Sequence, residues 1–119
     1  MLEWNTYMQE LGTRIAEIGR ASPDILRGYR TLSDAGQKTA NLDAKTRELI
    51  ALAVAVTLRC DGCITTHTTA ALKNQASAEE IVEALGVAIS VNAGAALVYS
   101  ARVLDAVHET TEPKQANPA

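Results

Sequence analysis

The feature that most constrains the fold is a run of apolar residues in the middle of the chain, Leu49-Ile50-Ala51-Leu52-Ala53-Val54-Ala55-Val56. Ahead of it stand Asp43, a residue type that favours the N-cap of a helix, and the more polar segment 44–48. The length of the run and its alanines favour a helix over a buried strand. Because the run is apolar on every side, we expect the helix to be a central one, covered by its neighbours.

Helical periodicity and capping signals predict two helices before this run. Apolar residues at helical spacing predict a first helix from Leu2 to Ile18. The sequence Ser22-Pro23-Asp24 is typical of a helix start and predicts a second helix that ends near Leu32. The segment from Ser33 to Leu42, which holds Asp34, Gly36 and Asn41, is expected to be the most loop-like internal part of the chain, with room for a helical turn.

The same reasoning predicts two or three helices after the run. A fourth helix should extend from Asp61 to about Asn74, and Ser77 and Glu80 form a capping box that begins a fifth. A break at Asn92-Ala93-Gly94 should separate it from a last helix, Ala95 to about Glu109. The residues expected to face inward on that last helix are Leu97, Val98, Ala101, Leu104 and Val107.

These elements predict an all-α, single-domain bundle of five or six helices over residues 1–109, with residues 110–119 as a disordered tail. Of the 119 residues, 47% are hydrophobic but only 3% are aromatic, and there is no Phe. The core must therefore be built from Ala, Leu, Val and Ile. A core without bulky side chains suggests that more apolar area is buried between subunits, which predicts a homo-oligomer.

Charge and hydropathy exclude several classes of partner. The formal net charge of −3 offers no basic surface for nucleic acid. The N-terminus, Met1-Leu2-Glu3-Trp4-Asn5, is unlike a signal peptide. We expect no uncharged apolar stretch of roughly 18 residues, the longest candidate being Leu49 to Leu58. The expected compartment is the cytoplasm, without contact with a membrane, and there a Cys-x-x-Cys pair favours redox or metal chemistry over a structural disulfide.

The only two cysteines, Cys60 and Cys63, stand at the start of the predicted fourth helix, with His67 four residues after Cys63. A helix N-terminus favours negative charge, and a nearby imidazolium does so too. Both conditions lower the pKa of a thiol from about 8.5 and so increase the reactive thiolate. Two thiols at this spacing can also close a disulfide after a peroxide has oxidised one of them.

Glu48, in the third helix, is the less obvious candidate. If the fourth helix returns antiparallel to the third, the helical rise of about 1.5 Å per residue brings Glu48 level with His67 or Ala71. A carboxylate bonded to the imidazole would select its tautomer and suit a proton relay from a thiol through His67.

Three alternatives compete with the redox interpretation. The cysteines could be core residues, with His67 bonded to a carbonyl group, and Glu48 could be an exposed acid paired with Lys45 or Arg47. Zinc could also be held by the cysteines and His67, with Glu48 or His108 as a further ligand, although structural zinc sites commonly use two spaced pairs of ligands. Two further residues are expected to play other parts: His108 to be solvated near the end of the last helix, and Tyr99 to lie in the core or an interface.

Glu48, eleven intervening residues, Cys60-x-x-Cys63 and then His67, set after an Ala/Val/Leu-rich helix, resemble the core motif of the AhpD-like alkylhydroperoxidases. These belong to the carboxymuconolactone decarboxylase superfamily. The resemblance implies an all-helical trimer or hexamer in which Cys63 reacts with peroxide, Cys60 resolves the product, and Glu48 with His67 relays protons. One departure is Gly62, where the best-known peroxidases of the family have a second histidine.

The resemblance implies a thiol-dependent hydroperoxide reductase, a peroxiredoxin-type antioxidant enzyme. No cofactor is expected, because nothing resembles a Gly-rich dinucleotide loop, so an external dithiol protein must supply electrons. No metal is expected either. The alternatives are a decarboxylase-like or general disulfide reductase acting on a small substrate, and a non-enzymatic, redox-sensing oligomer. The decarboxylase branch lacks the cysteine pair, which favours redox chemistry.

Overall fold

A computed structural model describes residues 1–112 of the chain. This part of the chain contains helices and no strands, which confirms the predicted all-α class. The helices are α1 (Trp4–Ala21), α2 (Pro23–Thr39), α3 (Ala44–Leu58), α4 (Asp61–Lys73) and α5 (Ala78–Thr111).

The chain divides into two compact units, the first of which runs from Met1 to Ala88 and holds α1 to α4 with the start of α5. The second unit begins at Ile89 and, as far as it is described, holds the rest of α5. In this second unit the guanidinium carbon of Arg102 lies 4.9 Å from the ring centroid of Tyr99, and His108 pairs with Glu112 at 3.5 Å.

Two predicted helix starts are confirmed by their caps. The side chain of Asp43 accepts a hydrogen bond of 2.7 Å from the backbone N–H of Thr46. Hydrogen bonding from the Thr46 side chain, and then from this N–H, holds the pKa of Asp43 below its ordinary value. At the start of α5, the backbone N–H of Ser77 donates to the Glu80 carboxylate while the N–H of Glu80 donates to the Ser77 hydroxyl, each at 3.0 Å. The backbone N–H groups of Ser77 and Glu80, which have no partner within the helix, are thereby hydrogen-bonded.

The two helix starts are also joined to each other. Lys45 donates to the second carboxylate oxygen of Glu80 at 2.8 Å. This contact is the largest cause that lowers the pKa of Glu80 and raises the pKa of Lys45. The first turn of α3 is thus held beside the first turn of α5.

The loop predicted from Ser33 to Leu42 is wrong, because α2 continues to Thr39. Gly36 costs a helix about 1 kcal/mol relative to alanine, which is too little to end one alone. A side-chain carbon at Gly36 would lie 2.9 Å from Cδ of Arg47, so the glycine makes room for a side chain of α3. The helix ends instead at Ala40, which adopts the left-handed conformation with φ of 50°.

The break predicted at Asn92-Ala93-Gly94 is also wrong, since α5 is continuous from Ala78 to Thr111. Gly94 is flanked by alanines and no proline follows in the helix, so propensity alone does not stop it. The disordered tail was predicted to begin at residue 110, but α5 includes residues 110 and 111. The rest of the predicted tail, residues 113–119, lies outside the described residues.

The same helix corrects the expectation about membrane spans. Among the described residues, α5 is long and apolar enough to cross a membrane by length and composition, a criterion that the core helix of a soluble protein meets as well. The inward face predicted for it is wrong for the single chain: Leu97 is 77% exposed, and the other four predicted positions are exposed too.

The core of the first unit lies where α3 packs against α4. Leu52 is 4% exposed and Ala71 is completely buried, and Leu49 and Ile81 pack around them with Ala76. Small side chains at this contact let the two helix axes approach closely. The prediction that neighbours cover α3 on all sides holds for one face only, because Ile50, Val54 and Leu58 are exposed.

Candidate active site

The two cysteines lie at the junction between α3 and α4. Arg59 ends α3 in the left-handed conformation, and Cys60 then becomes the N-cap residue of α4. The backbone N–H of Cys63 donates to Sγ of Cys60 at 3.2 Å. The Cα atoms are 5.2 Å apart and a disulfide joins the two half-buried side chains. The Cys-x-x-Cys motif therefore stands at a helix N-terminus, as predicted.

Glu48 and His67 form the second pair of the site. Oε2 of Glu48 lies 2.6 Å from Nδ1 of His67, and the side chains are 24% and 29% exposed. An ionised carboxylate only accepts hydrogen bonds, so Nδ1 of His67 carries the proton of this bond. In the neutral ring, Nε2 is then the atom that can accept a proton. The packing of α3 on α4 brings together two residues that are 19 positions apart.

The cysteine pair and the Glu48–His67 pair are neighbours, because Cys63 and His67 are both on α4, but no hydrogen bond joins the two pairs. His67 follows Cys63 by one helical turn on the same face, where side chains begin about 5–6 Å apart. The hydrogen bond of His67 goes to Glu48 rather than to a sulfur atom. A reacting molecule or a water between them could carry a proton from one pair to the other.

Gly62 contacts α1, a contact that motif spacing could not reveal. A side-chain carbon at this position would lie 2.8 Å from Cδ2 of Leu11 and 3.7 Å from the hydroxyl oxygen of Tyr7. The site where the best-known peroxidases have an imidazole is thus filled here by α1. Tyr7 is a polar neighbour of the dithiol turn that sequence reasoning missed, because nothing in the spacing of α1 connects it with Gly62.

A pocket of about 540 Å³ opens beside the Glu48–His67 pair. Its wall is shared by α2, α3 and α4 and consists of Ser33, Gln37, Ala44, Arg47, Glu48, Ala51, His67 and Asn74. Neither cysteine lines it. The pocket therefore gives solvent and small molecules access to the imidazole and the carboxylate.

The remaining candidates are placed elsewhere in the chain. Within residues 1–112, no group of three or more His, Cys, Asp or Glu side chains is gathered as a metal site would require. Glu48 bonds to His67 and not to Lys45 or Arg47, so the alternative of an ordinary surface ion pair does not hold. Tyr99 is exposed in the single chain, as is His108.

Comparison with known proteins identifies the family of the chain. The sequence profile of the carboxymuconolactone decarboxylase family matches residues 23–106. An uncharacterized protein of Haemophilus influenzae is 46% identical over 104 residues, which span 87% of this chain and 92% of that protein. The "uncharacterized protein 4 in cox locus" of Paracoccus denitrificans is 33% identical over 102 residues, 86% of this chain and 92% of that protein.

A solved structure shows the same fold. The crystal structure of a carboxymuconolactone decarboxylase family protein from Legionella pneumophila, in its apo form, has a TM-score of 0.71 and 35% identity to this chain. The match covers 92% of this chain and 98% of that one. The family profile and the solved structure together confirm the resemblance predicted from the Glu48 to His67 motif, and the chain belongs to the carboxymuconolactone decarboxylase family.

Proposed function

We propose that this protein is a thiol-dependent hydroperoxide reductase. The observation that carries the proposal is the Cys60–Cys63 disulfide across the first turn of α4, one turn from the hydrogen-bonded Glu48–His67 pair. A dithiol that closes a disulfide without moving the backbone far can accept oxidising equivalents and release them again. An adjacent acid–base pair can supply the protons that the reaction exchanges.

The chemistry proceeds in two displacements. In the first, the Cys63 thiolate attacks the terminal oxygen of a hydroperoxide, the O–O bond breaks, and the alkoxide leaves as an alcohol after it takes up a proton. Cys63 is now a sulfenic acid. In the second, the sulfur of Cys60 attacks that of Cys63, hydroxide leaves as water, and the disulfide forms. One peroxide is reduced by two electrons, and two thiols become one disulfide.

His67 and Glu48 have distinct parts in this scheme. Nε2 of His67 takes the proton of the attacking thiol and returns it to the leaving oxygen. Glu48 holds Nδ1 at 2.6 Å and so keeps Nε2 available as the reacting atom. An external dithiol protein returns the disulfide to two thiols by thiol–disulfide exchange. We assign the reaction to the cytoplasm, where such reductants maintain thiols.

A general disulfide reductase is the second candidate. The observation that favours it is the hydrogen bond from the Cys63 N–H to Sγ of Cys60, which would stabilise a thiolate on Cys60 once the disulfide is reduced. Cys60 would then attack a small disulfide substrate, and Cys63 would resolve the mixed disulfide. The imidazole missing at position 62 also separates this chain from the best-known peroxidases.

The proposal is tested by titrating thiols on the reduced protein before and after one equivalent of tert-butyl hydroperoxide. We expect two thiols to be lost per chain, the peroxide to be consumed, and an added small dithiol to restore the thiols and sustain turnover. Metal is measured in the same sample. Thiols that do not react with the peroxide, in a protein that does reduce small disulfides, would favour the second candidate. A protein that reduces neither, and whose oligomer size follows its redox state, would favour a sensor. Zinc at one per chain with protected thiols would overturn all three.

We also propose that the protein works as a homo-oligomer, with α5 covered by a second copy of the chain. Many large apolar side chains of α5 stay mostly exposed in the single chain, among them Leu97, Val98, Tyr99, Val103 and Leu104. An apolar surface of this kind marks an interface in proteins that remain dissolved in water.

Sedimentation velocity tests the assembly. We expect the wild type to sediment as a trimer or hexamer and the variant Leu97→Glu/Leu104→Glu to sediment as a smaller species, because buried charge opposes association. Thr6→Glu/Gln9→Glu, which adds the same two charges at exposed positions of α1, serves as the control and should sediment as the wild type. Partition of the wild type into lipid vesicles, in place of a defined oligomer, would contradict the proposal.

A further inference from the structure

The pocket beside His67 is built from one face of each of three helices. Ser33 and Gln37 are four residues apart on α2, and His67 and Asn74 are seven apart on α4. The residues that α3 contributes are Ala44, Arg47, Glu48 and Ala51, which repeat at three, four and seven. Such spacings place side chains on one side of a helix. Its volume of about 540 Å³ is in the range of small-molecule sites.

The lining of this pocket is polar. Its only apolar side chains are the two alanines, so a long alkyl chain would gain little by entering. Ser33, Gln37 and Arg47 supply hydrogen-bond donors from two helices. Asn74 donates through Nδ2 to the Ala70 carbonyl at 2.8 Å, which holds its amide in place.

The lining contains one group that can bind an anion. Glu48 and His67 are paired, so the carboxylate is already directed at the imidazole. Arg47 is the remaining charged residue of the wall. A guanidinium group binds a carboxylate in a fork of two parallel hydrogen bonds.

Arg47 is held in place before any ligand arrives. Its Nη1 donates to the carbonyl of Leu42 in the loop before α3. Its Cδ and Nε pass over Gly36, where a side-chain carbon would lie 2.9 Å and 3.6 Å away. A side chain fixed in this way loses less conformational freedom when it binds a ligand.

The order of residues along α4 relates the pocket to the reacting atoms. The cysteines occupy the start of α4, His67 follows one turn later, and Asn74 is the C-cap. Going along α4 from the dithiol to the pocket, the chain therefore reaches His67 first. A substrate bound in the pocket would therefore have to pass the imidazole to bring its hydroperoxide group to Cys63.

We propose that this pocket is a subsite for the non-reacting end of the substrate, and that this end carries a carboxylate which Arg47 binds. In naming that substrate a hydroperoxide, the inference rests on the proposed function. The enzyme then prefers small hydroperoxides that bear a carboxylate over uncharged alkyl hydroperoxides of equal size.

Binding is tested without turnover on the Cys60→Ser/Cys63→Ser protein. The probes are 4-hydroxybutanoate, the alcohol that 4-hydroperoxybutanoate would yield, and uncharged butan-1-ol, with binding followed by calorimetry and NMR. We expect the carboxylate to bind at least tenfold more tightly than the alcohol, and Arg47→Gln to remove this difference. Arg30→Gln, which changes an exposed arginine of α2 outside this pocket, serves as the matched control and should leave the difference in affinity between the two probes unchanged.

Two further measurements make the test decisive. If Arg47→Gln does not fold, as judged by its circular dichroism, Gln37→Leu on the exposed face of α2 takes its place and should weaken carboxylate binding about threefold. In the protein with both thiols, Arg47→Gln should raise KM for 4-hydroperoxybutanoate about tenfold more than it raises KM for n-butyl hydroperoxide.

The two proposals fail in different ways. Equal binding of the two probes, or equal turnover of the two hydroperoxides, overturns the subsite and leaves the peroxidase proposal standing. Selective carboxylate binding in a protein whose thiols resist both hydroperoxides overturns the peroxidase proposal, and the carboxylate site remains.

Discussion

The Cys63→Ser variant should not reduce hydroperoxides at all, with turnover lower than in the wild type by at least about 10³-fold. Serine has nearly the same shape as cysteine but is a far weaker nucleophile at neutral pH, and the part proposed for Cys60 is to resolve the sulfenic acid and not to attack the peroxide. Cys60 remains as a single thiol in this variant and can close no disulfide within the chain. The measurement is peroxide consumption in the presence of a regenerating dithiol.

The companion variant Cys60→Ser separates the parts of the two thiols. It should consume one peroxide per chain, form a sulfenic acid on Cys63 that mass spectrometry detects, and become over-oxidised with excess peroxide. Thr66→Ser, an exposed position of α4, is the control and should behave as the wild type. If Cys63→Ser instead forms the sulfenic acid while Cys60→Ser stays inert, the order of the cysteines is reversed. That result would agree with the N–H of Cys63 donating to Sγ of Cys60.

Local signals made the helix starts predictable. Asp43, Ser77 and Glu80 each satisfy backbone donors within three residues, so their hydrogen bonds depend on no distant part of the chain. The breaks expected at 33–42 and 92–94 failed for the opposite reason. Glycine and asparagine lower helix propensity by about 1 kcal/mol or less, and packing or flanking alanines outweigh a cost of that size.

The site was predictable only where helix geometry determines distance. An antiparallel return of α4 along α3 places Glu48 level with His67, and the structure has them 2.6 Å apart. The contacts of Gly62 with Leu11 and of Gly36 with Arg47 join helices distant in sequence, so no local pattern announces them. From the sequence, Gly36 was interpreted by its low helix propensity and Gly62 by its departure from the family pattern. In the structure, each glycine is a place where a side chain of another helix comes close.

The apolar face of α5 shows a different limit. Periodicity identifies which residues avoid water, but it does not say whether the same chain or another one covers them. Leu97 and Leu104 are apolar at helical spacing and yet are 77% and 63% exposed in the single chain. A sequence that reads as core is therefore equally the sequence of an interface.

Removing the Glu48–His67 pair should slow thiol oxidation without abolishing it. General acid–base catalysis contributes about 10²–10⁴-fold, so His67→Gln should lower the rate of disulfide formation by about 10²-fold. Glu48→Ala should approach the same loss, because an imidazole without its carboxylate no longer keeps the proton on Nδ1. Glu48→Gln retains an acceptor oxygen for Nδ1 and should lose only about tenfold. Stopped-flow measurement of peroxide-driven thiol loss gives each rate.

The double variant Glu48→Ala/His67→Gln decides whether the two residues act as one unit. If Glu48 acts only through His67, the double variant should be no slower than His67→Gln, whereas independent effects would multiply to about 10⁴-fold. The exposed pair His108–Glu112 on α5 has the same residue types and the same Nδ1 contact, and its variants His108→Gln and Glu112→Gln should leave the rate unchanged. Multiplying losses would mean that Glu48 acts on the thiols or the substrate directly, and the relay from Cys63 through His67 to Glu48 would be wrong. Because the His67–Glu48 bond is far shorter than the 3.5 Å of the control pair, only the former constrains the ring enough to select its tautomer.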